Sequence, residues 1–228
     1  MKYIQEEIIN NITPEIKAEM ETIWFTADLH ADHTKIVEIY NRPININKND
    51  LIGIGEHNIS NPSYKRLVNE ANNNWIIKDV INKYVKKTDD LYILGDVTMS
   101  NKKNADKFID RLNGNKHLIS GNHDKNIKHS TRFSEITQIK DFRFKRDNID
   151  ITIILCHYNM LSWNKRIHGS WHLFGHTHCR PIEGQAIMSF DVGIDRIGIY
   201  RPYNLYEICQ IMYQKSKGIS EEKILKSL

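Results

Sequence analysis

Cysteine is scarce in this sequence: three in 228 residues, Cys156, Cys179 and Cys209. The number is odd and no pair stands as CxxC, so neither a disulfide framework nor a thiolate zinc site is indicated. A reducing, cytoplasmic compartment is the expectation. No apolar run approaches the ~20 residues that a bilayer-crossing helix needs. The opening Met1-Lys2-Tyr3-Ile4-Gln5-Glu6-Glu7 lacks the basic-then-apolar order of a signal peptide. No membrane partner is therefore expected. Low-complexity runs, internal repeats and interdomain linkers are also missing. So is a strong charge excess: 32 basic residues stand against 28 acidic, a formal net charge of +4. That mild surplus would help attract a phosphate-bearing ligand. Lysines spread over an ordinary surface produce the same balance, so it does not by itself point to nucleic acid.

What is present suits a folded enzyme-sized domain. Hydrophobic residues make up 40 % and charged residues 26 %, enough apolar surface for a core and too balanced for a disordered chain. One domain over residues 1–228 is expected, with its core at about 21–210, an N-terminal extension at 1–20 and a C-terminal tail at 211–228. Ile23 to Asp28, Asp90 to Asp96 and Lys116 to Ser120 read as buried strands, and Ile149 to Cys156 as another. Helical spacing covers 34–41, 63–86 (with Ser63 as its cap) and 105–112. Residues 42–62, with Pro43, Gly53, Gly55 and Asn61-Pro62, read as a long loop. Residues 185–194 and 204–212 alternate like further strands. Strand–helix alternation followed by a strand-rich half predicts an α/β fold, a four-layer αββα sandwich of two mixed sheets flanked by helices.

The recurrent feature is a predicted strand that ends in residues able to ligate metal. It occurs at Asp28-Leu29-His30, Gly95-Asp96, Gly121-Asn122-His123-Asp124, His157 and Gly175-His176-Thr177-His178. Sites in α/β sheets gather at the carboxyl ends of strands, where residues distant in sequence converge. Asp28 and His30 are two apart, which in an extended segment points both to one side. Carboxylate, amide oxygen and imidazole together suit borderline cations such as Mn, Fe or Zn. The glycines before Asp96, Asn122 and His176 would let the backbone approach an ion or phosphate closely.

The ordered set DxH, GD, GNH(D/E), H and GHxH resembles the calcineurin-like metallophosphoesterase family over residues 23–178. Asp28-Leu29-His30-Ala31-Asp32-His33, Arg42-Pro43-Ile44 and Asp191-Val192-Gly193-Ile194-Asp195 further resemble a small phosphoesterase branch found in bacteria and phages. The resemblance implies two transition-metal ions. Asp28, His30 and His178 would bind one, Asn122, His157 and His176 the other, and Asp96 would bridge both. It also implies in-line attack on phosphorus by a bridging hydroxide. His123, left without a metal role, would protonate the leaving oxygen. Asp124 would orient His123 or cap a helix.

Three further residues are candidate substrate contacts, each with a plainer alternative: His33 (or a helix start), Arg42 (or a surface salt bridge) and Tyr158 (or core packing, as for Trp163 and His172). His57, His117, His129 and His168 read as incidental. The expected reaction is hydrolysis of a phosphodiester or phosphomonoester, with a small, nucleotide-derived substrate among the options. The alternative is a nuclease, which would need a basic groove; Lys140, Arg143, Lys145 and Arg146 are the available cluster. A non-catalytic metal-binding scaffold should have lost ligands, and none of Asp96, Asn122, His123 and His157 is missing.

Overall fold

The structure, a computed structural model, describes residues 2–52, 54, 59–196 and 198–227, with residues 2–4 described by their backbone alone. Among these, nine strands form two mixed sheets. The first has the order β4 (Glu135–Thr137), β3 (Asn115–Ile119), β2 (Asp90–Ile93), β1 (Ile23–Thr26), β9 (Tyr203–Asn204). Its first four strands are parallel and β9 runs antiparallel to β1. The second has the order β5 (Ile139–Arg146), β6 (Ile149–Cys156), β7 (Trp171–Phe174), β8 (Ser189–Asp191). Here β5 and β6 form an antiparallel hairpin, while β6, β7 and β8 are parallel. The fold class is α/β, built on two mixed sheets with helices.

The two-residue period of a strand decides what each face meets. In the first sheet Phe25 pairs with Tyr92, and both pack against Phe142 of the second sheet, with ring centroids 5.5 Å and 5.3 Å from it. The alternate residues Trp24, Leu91, Ile93 and Leu118 face a separate apolar cluster with Trp75 of α4 (Pro62–Trp75) and Phe108 and Ile109 of α5 (Lys102–Ile109). Phe144, Ile151, Ile153, Leu155, Trp171 and Leu173 share the inter-sheet core. Burial of each such side chain contributes about 1.5–3 kcal/mol. The same cluster takes in helices α1 (Lys2–Asn10), α2 (Pro14–Met20), α6 (Leu205–Ser216) and α7 (Glu221–Leu225) through Ile8, Ile16, Met20, Ile208, Met212 and Ile224. Residues 1–20 and 211–228, expected as extension and tail, thus contribute to the core.

Several expectations need correction. Of residues 204–212, Asn204 ends β9 and the rest are helical. Asn204 accepts from the Glu207 amide while the Glu207 side chain accepts from the Asn204 amide, a capping box. Leu205, Ile208, Cys209 and Met212 then form one buried helical face. The long helix begins under Asn61, which caps it with Pro62 at the first helical position, so Ser63 is not the cap. It continues beyond Trp75 as a π-helical segment, Ile76–Ile81. Residues 34–41 hold α3 (Thr34–Ile39). In the 42–62 loop, Lys48–Leu51 form a 3-10 turn, and Ile44, Ile46, Leu51, Ile54 and Ile59 pack on α3 and α4. Gly53, Gly55 and His57 lie outside the described residues. Among the described residues no helix is long and apolar enough to cross a membrane.

The sheets meet beyond the carboxyl ends of their strands. Asp28 N donates to Gly95 O, His30 N to Asp96 O, Gly175 N to His157 O, and Ile194 N to Ala27 O. Ala27 pairs with Gly193 as an isolated parallel bridge, which joins the two sheets at one edge.

Candidate metal centre

Two ligand groups sit at that edge. Asp28, His30 and His178 form one, and Asp96, His157 and His176 the other; within each, the ligand atoms lie within 4.8 Å of one another. The two groups could each hold a metal ion. Asp96 lies between them: its Oδ2 is 3.6 Å from His30 Nε2 and 3.5 Å from His157 Nε2. Asn122 adds an oxygen to the second group, with Oδ1 3.2 Å from His157 Nε2 and 3.4 Å from the Tyr158 hydroxyl. His123 stands at the opening. Its imidazole is 40 % exposed and its Nε2 is 4.0 Å from Asp96 Oδ2. All seven expected ligands are therefore gathered, with His123 beside them.

The donor set fits a cation on chemical grounds. His157 Nδ1 lies 2.7 Å from the Leu94 carbonyl, which can only accept, so Nδ1 carries the proton. In the neutral ring Nε2 then presents a lone pair to Asp96 Oδ2 and Asn122 Oδ1, which are themselves acceptors. Only a shared proton or a cation reconciles that arrangement. His30 is 2 % exposed and neither ring nitrogen has a hydrogen-bond partner among the described residues. A buried imidazole left so costs about 1–3 kcal/mol per unmet group. Burial also holds its pKa well below the usual range, so the ring is neutral and its lone pair is free. Asp28 is fully buried. Burial first, then the charges of Asp191, Asp96 and Asp195, push its pKa well above the ordinary carboxylate value. A concentration of carboxylates of this kind is relieved by positive charge.

The backbone of the centre is strained where the ligands attach. Asp28, His30, Asp96, His176 and His178 all have positive φ, between 46° and 68°. Non-glycine residues seldom adopt this left-handed region, and each such residue costs on the order of 1 kcal/mol or more. The expectation that Asp28 and His30 share a side because their segment is extended is thereby corrected: both are left-handed, and Leu29 between them is buried in the core. Glycines permit the close approach, and a Cβ on Gly95 would lie 2.4 Å from His157 Nδ1. A Cβ on Gly121 would lie 2.4 Å from Asp96 Oδ1, and one on Gly175 would lie 2.5 Å from Ala27 Cβ and 2.7 Å from Asp28 Oδ2.

Buried polar groups brace this backbone, and two of them correct the expected roles. Arg42 is 4 % exposed. Its five N–H groups are all used: Nε and Nη2 bind Asp195, Nη1 binds Leu29 O and Asn72 Oδ1, and Nη2 also binds Asp28 O. No donor is left for a substrate phosphate, so Arg42 holds the ligand loop instead. Among the described residues, Asp124 makes no carboxylate hydrogen bond to the His123 ring. Its carboxylate accepts from the amides of Asp96, Val97 and Gly121, tying the second and third ligand loops together. Nor is it the helix cap, since His123 holds that position before the short 3-10 turn Asp124–Asn126.

His33 caps α3 without a side-chain cap bond. Its ring lies 5.3 Å from that of His30, and its buried Nδ1 has no partner. Tyr158 is 45 % exposed and its ring stands edge-on to His157 and His176, at 5.0 Å from each. Trp163 and His172 are internal, with Trp163 Nε1 on Ser170 and His172 Nδ1 on Ile154 O.

Two carboxylates outside the ligand motifs support the ligand turns. Asp195 accepts from His178 Nδ1 at 2.5 Å, which fixes that ring and leaves Nε2 for the centre. Asp191 binds the Thr177 hydroxyl and the amides of Cys179 and Gly193, and so shapes the His176–His178 turn. Both lie in the segment Asp191–Asp195, where the only sequence signal is the resemblance to the small phosphoesterase branch. The basic residues of β5 are largely paired: Lys140 with Glu135, Arg143 with Asp150 and Arg146 with Glu19.

No family model matches the chain. An uncharacterized protein of Methanocaldococcus jannaschii, MJ1445, is 26 % identical over 207 residues, spanning 88 % of this chain and 96 % of that protein. Among solved structures, the protein of unknown function AQ665 from Aquifex aeolicus matches with a TM-score of 0.51 at 21 % identity, over 82 % of this chain and 96 % of that one. The second likeness concerns the fold alone. Neither relative's name states an activity, so the functional reading comes from the residues of the centre.

Proposed function

We propose that this chain is a dinuclear metal-dependent phosphoesterase of the calcineurin-like type, hydrolysing a small phosphodiester or phosphomonoester. The observation that supports this best is the place of Asp96, whose Oδ2 lies 3.5 Å from His157 of its own ligand group and 3.6 Å from His30 of the other, with an exposed imidazole, His123, 4.0 Å from the same oxygen. Asp28, His30 and His178 would hold one metal ion and Asn122, His157 and His176 the other, with Mn, Fe or Zn suited to such ligands. When bound, the pair would supply Lewis acidity to a phosphoryl group and to water.

The chain's own residues have distinct tasks. His123 is the residue free to donate a proton to a leaving oxygen, a role worth about 10²–10⁴-fold in rate. Asp195 holds His178 in one tautomer, and Leu94 O does the same for His157. Asp124 and Arg42 keep the ligand loops in register, and Tyr158 flanks the opening. Nucleotide-derived phosphoesters are the substrates we favour. The pairing of the β5 basic residues leaves little open positive charge for a nucleic-acid groove there. The three free cysteines suit a cytoplasmic setting.

The test is a hydrolysis panel with Mn²⁺: a chromogenic phosphodiester, a chromogenic monoester, cyclic nucleotides and single-stranded DNA. Wild type should cleave at least one small ester, and His123→Ala should lower kcat by about 10²-fold or more. If the wild type cleaves none of them, the proposal fails. Preferential cleavage of single-stranded DNA would favour the nuclease alternative.

A further inference from the structure

Beside the metal centre lies a chamber of about 500 Å³ whose wall includes Ile39, Tyr40, His178, Arg180 and Asp195. That volume is within the range of small-molecule sites, ~300–1,000 Å³. It borders the centre through His178. The Tyr40 ring stacks on the His178 ring, with centroids 4.4 Å apart and planes 6° apart, and the Arg180 guanidinium lies 5.0 Å from the Tyr40 centroid. The guanidinium is thus held one ring away from a candidate metal ligand.

The charges of the chamber point one way. Asp195 presents no exposed side-chain surface, and its carboxylate is taken by Arg42 and His178. Arg196, also on the wall, is paired with Glu221. Arg180 is exposed and makes no ion pair among the described residues. Its backbone is fixed, because its amide donates to Thr177 O at 3.0 Å and Pro181 follows it. The Tyr40 ring stacks on His178, and Tyr40 holds the Arg180 guanidinium over its ring and by a side-chain hydrogen bond, so the planar guanidinium has a neutral partner and its charge is left unpaired among the described residues. Such a fork matches a phosphate group better than a neutral base.

We propose that Arg180 forms a subsite for a second phosphate group, so that the substrate is a phosphoester carrying two phosphates, of the nucleoside bisphosphate class. This rests on the phosphoesterase reading, which places the other phosphate on the metal centre. Isothermal titration calorimetry on Mn²⁺-supplemented His123→Ala protein tests it, because that background retains every candidate ligand while slowing turnover. Adenosine 3′,5′-bisphosphate should bind about tenfold or more tighter than adenosine 5′-monophosphate. Adding Arg180→Gln should reduce that preference to within about twofold. Lys87→Gln, the same charge change in the loop before β2, should leave it intact. An undiminished preference in Arg180→Gln, or no preference in the His123→Ala parent, would overturn the subsite. A wild type that hydrolyses no phosphoester while the Arg180-dependent preference persists would instead sink the hydrolase reading and leave the subsite standing.

Discussion

Replacing Arg42 by methionine keeps the length of the side chain and removes its charge and all five of its hydrogen bonds. Arg42 and Asp195 have no exposed side-chain surface, so the carboxylate is left buried with only His178 as a partner. Removing one partner of a buried pair costs about 3–5 kcal/mol. The carbonyls of Asp28 and Leu29 and the Asn72 amide oxygen lose their donor as well, which moves the expectation toward the upper end. A domain is stable by only about 5–15 kcal/mol, so a third or more of the total is at stake. For a chain of this size each kcal/mol shifts Tm by about 2–4 °C, and the variant should melt about 6–20 °C below wild type. The assay is far-UV circular dichroism melting in excess chelator, so that metal binding adds nothing to either protein. Arg66→Met, at an exposed helical position, should shift Tm by no more than about 2 °C. A shift for Arg42→Met as small as that of Arg66→Met would refute the assignment of Arg42 as the brace of the ligand loop.

Two further outcomes are expected. Gly121→Ala places a methyl group 2.4 Å from Asp96 Oδ1, so it should weaken Mn²⁺ binding about tenfold or more, read by calorimetry; unchanged affinity would mean that the Asp96 carboxylate is free to move. His172 is fully buried, and burial holds its pKa below the usual imidazole value of about 6.5. The unfolded chain therefore binds this proton before the folded one does, and the contribution of His172 to the stability of the metal-free protein should fall as pH drops below about 6.5, by up to about 1.4 kcal/mol per unit. Urea midpoints against pH for wild type and His172→Gln measure this, and the variant should lose less stability on acidification than wild type; identical pH dependence in the two would contradict it.

Much of the centre was legible because its chemistry is local. Each ligand motif follows a short apolar strand, so both its residue types and its place at a strand end could be read together. What could not be read depends on partners far along the chain. Arg42 and Asp195 are 153 positions apart, and nothing near Arg42 reveals that all its donors are consumed inside the fold. Asp124 looks like a partner for His123 because the two are adjacent, yet its carboxylate is drawn to the amides of Asp96 and Val97. The left-handed backbone of Asp28 and His30 is likewise imposed from outside, by bonds from their amides to Gly95 O and Asp96 O. In α6 the alternation over 204–212 suggested a strand, but the reciprocal cap of Asn204 and Glu207 and the apolar spacing over the longer helix prevail.

A dinuclear centre requires two metal positions that share Asp96. Metal analysis of Mn²⁺-saturated protein after desalting tests this directly, comparing wild type with His30→Ala, His157→Ala and Asp96→Asn. Wild type should retain about two equivalents per chain, each histidine variant about one, and Asp96→Asn fewer than wild type. A wild type that retains no metal, or an Asp96→Asn variant that retains as much as wild type, would contradict it.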